Sequence, residues 1–111
     1  MYEYKAKLVR IYDADTLWCD IDLGFSVWMA NQTIRLYGIN AWELRSEEKI
    51  KGALARDAFK ELLPDGSFFT LRSYKDSKGK YGRWLGEIIL DDGTNINQWL
   101  VEQGHAVTAD Y

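Results

Sequence analysis

The chain has 111 residues, 47% hydrophobic and 14% aromatic, with a formal net charge of −3. That length holds one domain, residues 1–111, with no room for a second core, and the apolar fraction excludes disorder, because disordered chains lack the groups to offset ordering entropy. A single cysteine, Cys19, excludes an internal disulfide framework and any multi-cysteine zinc site.

Along the chain, Leu8 to Ile11 ends a first predicted strand, and Asp13-Ala14-Asp15 reads as a turn. From Thr16 to Leu23 the apolar Leu17, Cys19, Ile21 and Leu23 alternate with more polar positions, the two-residue period of a half-buried strand. Gly24-Phe25 opens a turn, and Val27 to Tyr37 reads as a third strand ended by Gly38. The period then changes. Ile50, Leu54, Ala58 and Leu62 fall four apart, with Phe59 and Leu63 beside them, so one helix face is apolar. Ser46 is the expected N-cap, Glu47 and Glu48 suit the positive end of the helix dipole, and Leu63-Pro64-Asp65-Gly66 stops the helix. Two further strands, Phe68 to Tyr74 and Trp84 to Leu90, flank a polar loop. A last short helix follows, with Asn95 and Gln98 at capping-box spacing, Ile96, Trp99 and Leu100 on its apolar face, and Gly104 at C′.

Three strands, a helix, two strands and a helix give a mainly β, α+β chain. That order matches the five-stranded Greek-key barrel of the OB-fold with two to three helices. A flat α+β sandwich fits the pattern too, but sheets of this size usually close to avoid exposed edges. The longest stretch nearly free of charge, Ile21 to Ile34, is too short and too polar to span a membrane. Met1 to Lys5 leads into no apolar signal core, so the expected location is cytoplasmic, or outside the cell if a leader has been removed. A monomer is expected.

Net charge taken globally argues against a nucleic-acid binder, but its distribution is uneven. Between Ile11 and Ile34 stand Asp13, Asp15, Asp20 and Asp22 with no Lys or Arg, whereas Arg72, Lys75, Lys78, Lys80 and Arg83 gather around one acid, Asp76. An acidic pocket facing a basic loop suits a metal ion beside a phosphate; two solvated loops would give the same pattern. Asp13 and Asp15 can share one cavity if the turn between them is tight, and oxygen-only ligands suit Ca²⁺ or Mg²⁺. Arg35 lies in a run of strand formers, where an unpaired guanidinium is costly to bury, so it either emerges at a barrel face or meets a carboxylate or phosphate. Asn40 and Glu43 follow that strand and can turn back toward Asp15. Lys80-Tyr81-Gly82-Arg83 is a hairpin tip able to bind phosphate and stack on a base.

Together these segments resemble the staphylococcal nuclease (thermonuclease) family. The likeness runs through Ile11 to Leu17, Ile34 to Ala41 with Glu43, Asp76 to Arg83 with Tyr81-Gly82-Arg83, and Asp92 to Ala106. The resemblance implies a five-stranded OB barrel and a Ca²⁺-dependent endonuclease acting on DNA and RNA. By that likeness Asp15 is the primary metal carboxylate and Asp13 its second-shell neighbour. Asn40 and the Ala41 backbone carbonyl are further ligands, and Glu43 is the general base for the attacking water, itself tied to the metal through water. Arg35 and Arg83 grip the phosphate, and Lys80 and Tyr81 contact substrate phosphate.

Two positions depart from the family pattern. Asn40 stands where an aspartate ligand is usual, which removes a negative charge and weakens the expected metal affinity. Trp42 stands where Pro is usual, so the loop carrying Glu43 loses a fixed φ; its indole is either a stacking platform for a base or a lid over the core. These departures keep a second reading alive, a catalytically weak or inactive OB module that binds nucleic acid or protein. Cys19 reads as core filler and His105 as a surface residue. Trp18 and Trp28 form either a cross-strand aromatic pair or part of the barrel packing.

Overall fold

A computed structural model describes residues 2–42, 49–74 and 83–109. Its strands are β1 (Tyr2–Asp13), β2 (Thr16–Asp22), β3 (Trp28–Leu36), β4 (Ile39–Ala41), β5 (Phe68–Ser73), β6 (Trp84–Ile89) and β7 (Ala106–Thr108). Helix α1 (Lys49–Leu62) lies between β4 and β5, and α2 (Ile96–Glu102) between β6 and β7. Five strands close into a barrel in the order β1-β2-β3-β6-β5, with β3 and β6 parallel and the other pairs antiparallel. The expected OB-type α+β barrel is therefore present, with no strand of it left as an edge.

Alternation builds the core. Leu17, Cys19 and Ile21 of β2, Ile34 and Leu36 of β3, and Phe69 and Leu71 of β5 all point inward and are buried. In β1 the rhythm breaks: Ala6, Leu8 and Ile11 are buried, and register shifts separate Leu8 from Arg10 and Ile11 from Asp13. Each shift is a bulge that inserts one residue and re-aims its neighbours. The inserted residues, Val9 and Tyr12, are both exposed. In β6 the inward position is Gly86, where an added Cβ would lie 2.6 Å from Leu71 Cδ1 and 3.3 Å from the Arg72 carbonyl oxygen. A larger residue there would require Leu71 to move and would crowd the β5 backbone.

Several expectations need correction. The buried stripe of α1 is Gly52, Ala55 and Phe59, continued by Leu63, not the Ile50–Leu54 line; Ile50 is 78% and Leu54 60% exposed. The expected face included Phe59 and Leu63 only as flanking residues, and it is their side of the helix that the barrel buries. Ser46, Glu47 and Glu48 lie outside the described residues. The pattern also missed a small second sheet, β4 with β7, because three-residue strands carry no readable period. Trp18 and Trp28 do not face each other: Trp18 pairs with Thr33 and Trp28 with Asp22.

The expected caps of α2 are present. Asn95 Oδ1 accepts from the Gln98 N–H at 3.2 Å, and Gly104 takes the left-handed φ of 77° after the C-cap. The β2–β3 tip is unusual. Gly24, Phe25 and Ser26 have consecutive φ values of 81°, 55° and 64°, and the Phe25 ring is fully exposed. Among the described residues no helix is long and apolar enough to cross a membrane.

Candidate active site

At one end of the barrel the β1–β2 turn, the end of β3 and strand β4 converge. The Asp13-Ala14-Asp15 turn is tight because Asp13 Oδ1 accepts the Asp15 N–H at 3.1 Å and Ala14 is fully buried. Asp15 is then fastened from both sides. Its carbonyl accepts the Leu36 N–H at 2.8 Å, which ties the turn to β3. Oδ1 accepts the Thr16 hydroxyl at 3.1 Å, and Oδ2 accepts the Ala41 N–H of β4 at 2.9 Å.

Arg35 completes the cluster. It sits opposite Thr16 in the β2–β3 ladder, and its Nη2 lies 3.5 Å from Asp15 Oδ2, with side-chain exposures of only 11% and 13%. The same nitrogen donates to Asn40 Oδ1, and Nη1 donates to the Leu36 carbonyl at 3.0 Å. Of the two sequence alternatives for Arg35, the structure realises the carboxylate partner. A nearly buried guanidinium with planar, forked donors is thereby held at the mouth of the barrel.

Asp13 feels the crowding. Its carboxyl is pushed up to about 7, first by burial, then by its side-chain hydrogen bond to Asp15 and the charge of that neighbour; Arg35 offsets this only in part. Asp15 and Asn40, linked through Arg35 with Asp13 beside them, offer oxygen donors of the kind that suit a hard divalent cation, which would offset the Asp13–Asp15 repulsion. Among the described residues no group of three His, Cys, Asp or Glu gathers, so the acidic pocket is smaller than the charge pattern implied. Asp20 and Asp22 sit toward the other end of β2, up to about 20 Å along the strand from Thr16. Asp20 accepts the Asn31 N–H at 2.8 Å where the ladder bulges, and Asp22 accepts the Gly24 N–H at 2.8 Å. They are turn formers.

The remaining candidates divide. Arg83 directly precedes β6, whose Trp84 pairs with Ile34, so the chain carries it to the Arg35 end of the barrel. Glu43, Lys80 and Tyr81 lie outside the described residues, as do Lys75 and Lys78. Trp42 is half-buried: its indole N–H donates to the Gly104 carbonyl at 2.9 Å, and the Lys51 ammonium stands 5.0 Å from the ring centroid. It braces the β4 exit against the end of α2. Arg72 is committed elsewhere, to Glu3 at 3.0 Å and Glu87 at 3.6 Å.

Two features beside the site escaped the sequence reading. Tyr37 and Tyr74 stack at 3.9 Å and 7°. The Tyr74 hydroxyl donates to Glu87, and burial followed by that carboxylate pushes its pKa up to about 12. Asn97, 2% exposed, donates to the Tyr37 carbonyl at 2.9 Å and the Gly86 carbonyl at 3.1 Å, and accepts the Ile88 N–H at 3.2 Å. It anchors Tyr37, in the turn between β3 and the β4 strand that carries Asn40. Its only sequence signal was an amide inside an apolar helix face.

The sequence profile of the family described as "Staphylococcal nuclease homologue" matches residues 33–111. Endonuclease YhcR of Bacillus subtilis (strain 168) is 30% identical over 114 residues, covering 96% of this chain and 9% of that protein. An uncharacterized endonuclease of Escherichia coli O157:H7 is 32% identical over 100 residues, covering 90% of this chain and 58% of that protein. A second uncharacterized endonuclease, from Escherichia coli, is 27% identical over the same coverage. The chain thus spans less than two thirds of the length of each of these relatives. The profile covers more than half of the sequence, and the chain belongs to the staphylococcal nuclease homologue family.

Proposed function

We propose that the chain is a metal-dependent endonuclease, with Ca²⁺ as its cation, that hydrolyses phosphodiester bonds of DNA and RNA with little base preference. The observation that carries this reading is the nearly buried Asp15–Arg35 pair, held by β2, β3 and β4 at the open end of the barrel. Asp15, Asn40 and the Ala41 carbonyl would hold the cation, with Asp13 behind them and Glu43 reaching it through water. When bound, the cation neutralises phosphate charge as the bond breaks.

The chain's own groups supply the rest. Attack by water turns a monoanionic diester into a more highly charged transition state. Arg35 and Arg83 each present paired N–H donors to its equatorial oxygens, which stabilises developing charge more than the resting substrate. Glu43 takes the proton of the attacking water, because neutral water is a weak nucleophile. In the resting arrangement Arg35 is fixed by Asp15 and Asn40, so it is oriented before substrate arrives. Asn40 supplies an oxygen without a charge, which leaves a weaker site for the cation than an aspartate would.

Digestion of heat-denatured DNA in millimolar Ca²⁺, with and without chelator, tests the proposal. The parent digests and chelator stops it. Arg83→Ala and Glu43→Ser each lose about 10²-fold or more of the rate, the scale of a lost transition-state donor or base. Digestion that persists in chelator, or survives both substitutions, would sink the mechanism. No digestion with any divalent metal, beside retained oligonucleotide binding, would favour the binding-module reading that Asn40 suggests.

A further inference from the structure

The outer face of β1 and β2 carries a cluster that the hydrolytic site does not use. Arg10 pairs with Trp18 across the ladder, and its guanidinium carbon stands 4.3 Å from the centroid of the Trp18 ring. Tyr12 meets the same indole edge to face, at 5.9 Å and 86°. Tyr12 is the residue inserted by the second β1 bulge, 39% exposed, and it immediately precedes Asp13. Arg10 is exposed and Trp18 is half-buried.

Their position relative to the site is fixed by the ladder. Thr16 pairs with Arg35, and Trp18 is the next outward residue of β2, about 7 Å along the strand. That is the reach of one nucleotide in an extended strand. We propose that Arg10, Tyr12 and Trp18 form a stacking subsite for an unpaired base of single-stranded nucleic acid, next to the phosphate held at Arg35. Three physical features support it. Bases stack on any aromatic face without regard to sequence. A guanidinium over the indole leaves a cation to meet the adjoining phosphate. The two β1 bulges leave Arg10 and Tyr12 exposed beside Trp18, which faces outward by the alternation of β2. A duplex would keep its bases stacked on each other, so the subsite selects unpaired strands.

This inference rests on the nuclease reading of the Asp15–Arg35 end, and binding without cleavage separates the two. The probe is a fluorescein-labelled octathymidylate, titrated by anisotropy in chelator at low salt, with an unlabelled phosphorylated dinucleotide as competitor. Tyr12→Leu and Trp18→Leu retain apolar cover and remove the π face; Arg10→Gln removes the cation. Each Leu variant should bind the octamer about 5- to 100-fold more weakly, the scale of one lost stacked base. Dinucleotide competition at the Arg35 end should not change, because so short a ligand fills only the phosphate site. Octamer affinity that is unaltered in Tyr12→Leu and Arg10→Gln, while the parent binds, overturns the subsite and leaves the nuclease reading intact. A parent that does not bind the octamer overturns the subsite, and one that also fails to digest heat-denatured DNA in Ca²⁺ overturns both. Tyr12 and Arg10 are exposed, so their variants decide the matter even if Trp18→Leu fails to fold.

Discussion

Asp13 shows how one buried carboxyl reports on its surroundings. Its ordinary value is 3.8, and in the fold it rises to about 7, so the folded chain keeps a proton that the unfolded chain releases. For an acid shifted upward the penalty is absent below about pH 4, grows through the interval and is complete above about pH 7. Asp13→Asn imitates the protonated form: its amide oxygen still accepts the Asp15 N–H, and its NH₂ can donate to the Asp15 carboxylate. In chelator the variant should match the parent in urea midpoint at pH 4 and exceed it at pH 8. A difference that is the same at both pH values would show that folding does not raise the Asp13 carboxyl, whose shift comes first from burial and then from Asp15. Millimolar Ca²⁺ at pH 8 should narrow the gap, because a ligand that binds only the folded parent stabilises it by mass action.

At the scale of elements, the site depends on how α2 is fastened to the barrel. Asn97 bonds the Ile88 N–H and Gly86 carbonyl of β6 and the Tyr37 carbonyl just past β3 from a fully packed position. Asn97→Ala removes the side-chain partner of the Ile88 N–H and of the Tyr37 carbonyl, while Gly86 keeps the Tyr37 N–H, a loss of about 2–3 kcal/mol, measurable as a lowered urea midpoint. Asn97→Asp should do no better, since a carboxylate cannot donate to the Tyr37 and Gly86 carbonyls; recovery of the parent midpoint by Asn97→Asp would contradict this account. The same residue marks the limit of sequence legibility. Strands β2, β3, β5 and β6 were readable because one buried face imposes a period of two on Leu17, Cys19, Ile21 and their partners. The Asp13–Asp15 turn was readable because tight turns admit few solutions, and the burial of Arg35 was narrowed to a few alternatives, among which only the fold chose Asp15. Asn97, the Tyr37–Tyr74 stack, the β1 bulges and the β4–β7 sheet were not. Each depends on which distant segment arrives opposite, and local pattern carries no such information. The α1 face failed for a related reason, since the small Gly52 and Ala55 that the barrel buries carry little apolar signal beside the large, exposed Ile50 and Leu54.

The whole molecule carries a net charge of −3, yet phosphate binding depends on which cations the fold places along one path. Arg72 pairs with Glu3 and Glu87. Arg10, Arg35 and Arg83 fall along the proposed strand path, and with Arg35 exchanging its Asp15 contact for phosphate they would neutralise about three phosphates. Single-strand binding then loses affinity with a log–log salt slope of about −2, or about 20-fold between 50 and 200 mM salt. Arg72→Gln should leave that slope unchanged, whereas Arg10→Gln should reduce it by about 0.7. A parent slope steeper than about −4 would transfer the electrostatic role to Lys75, Lys78 and Lys80. Under that outcome, charge in the loop before β6 would outweigh the cations that the barrel positions. With a slope near −2, an acidic domain holds a polyanion because three guanidiniums line one path while its carboxylates are spent on turns, ion pairs and the cation site.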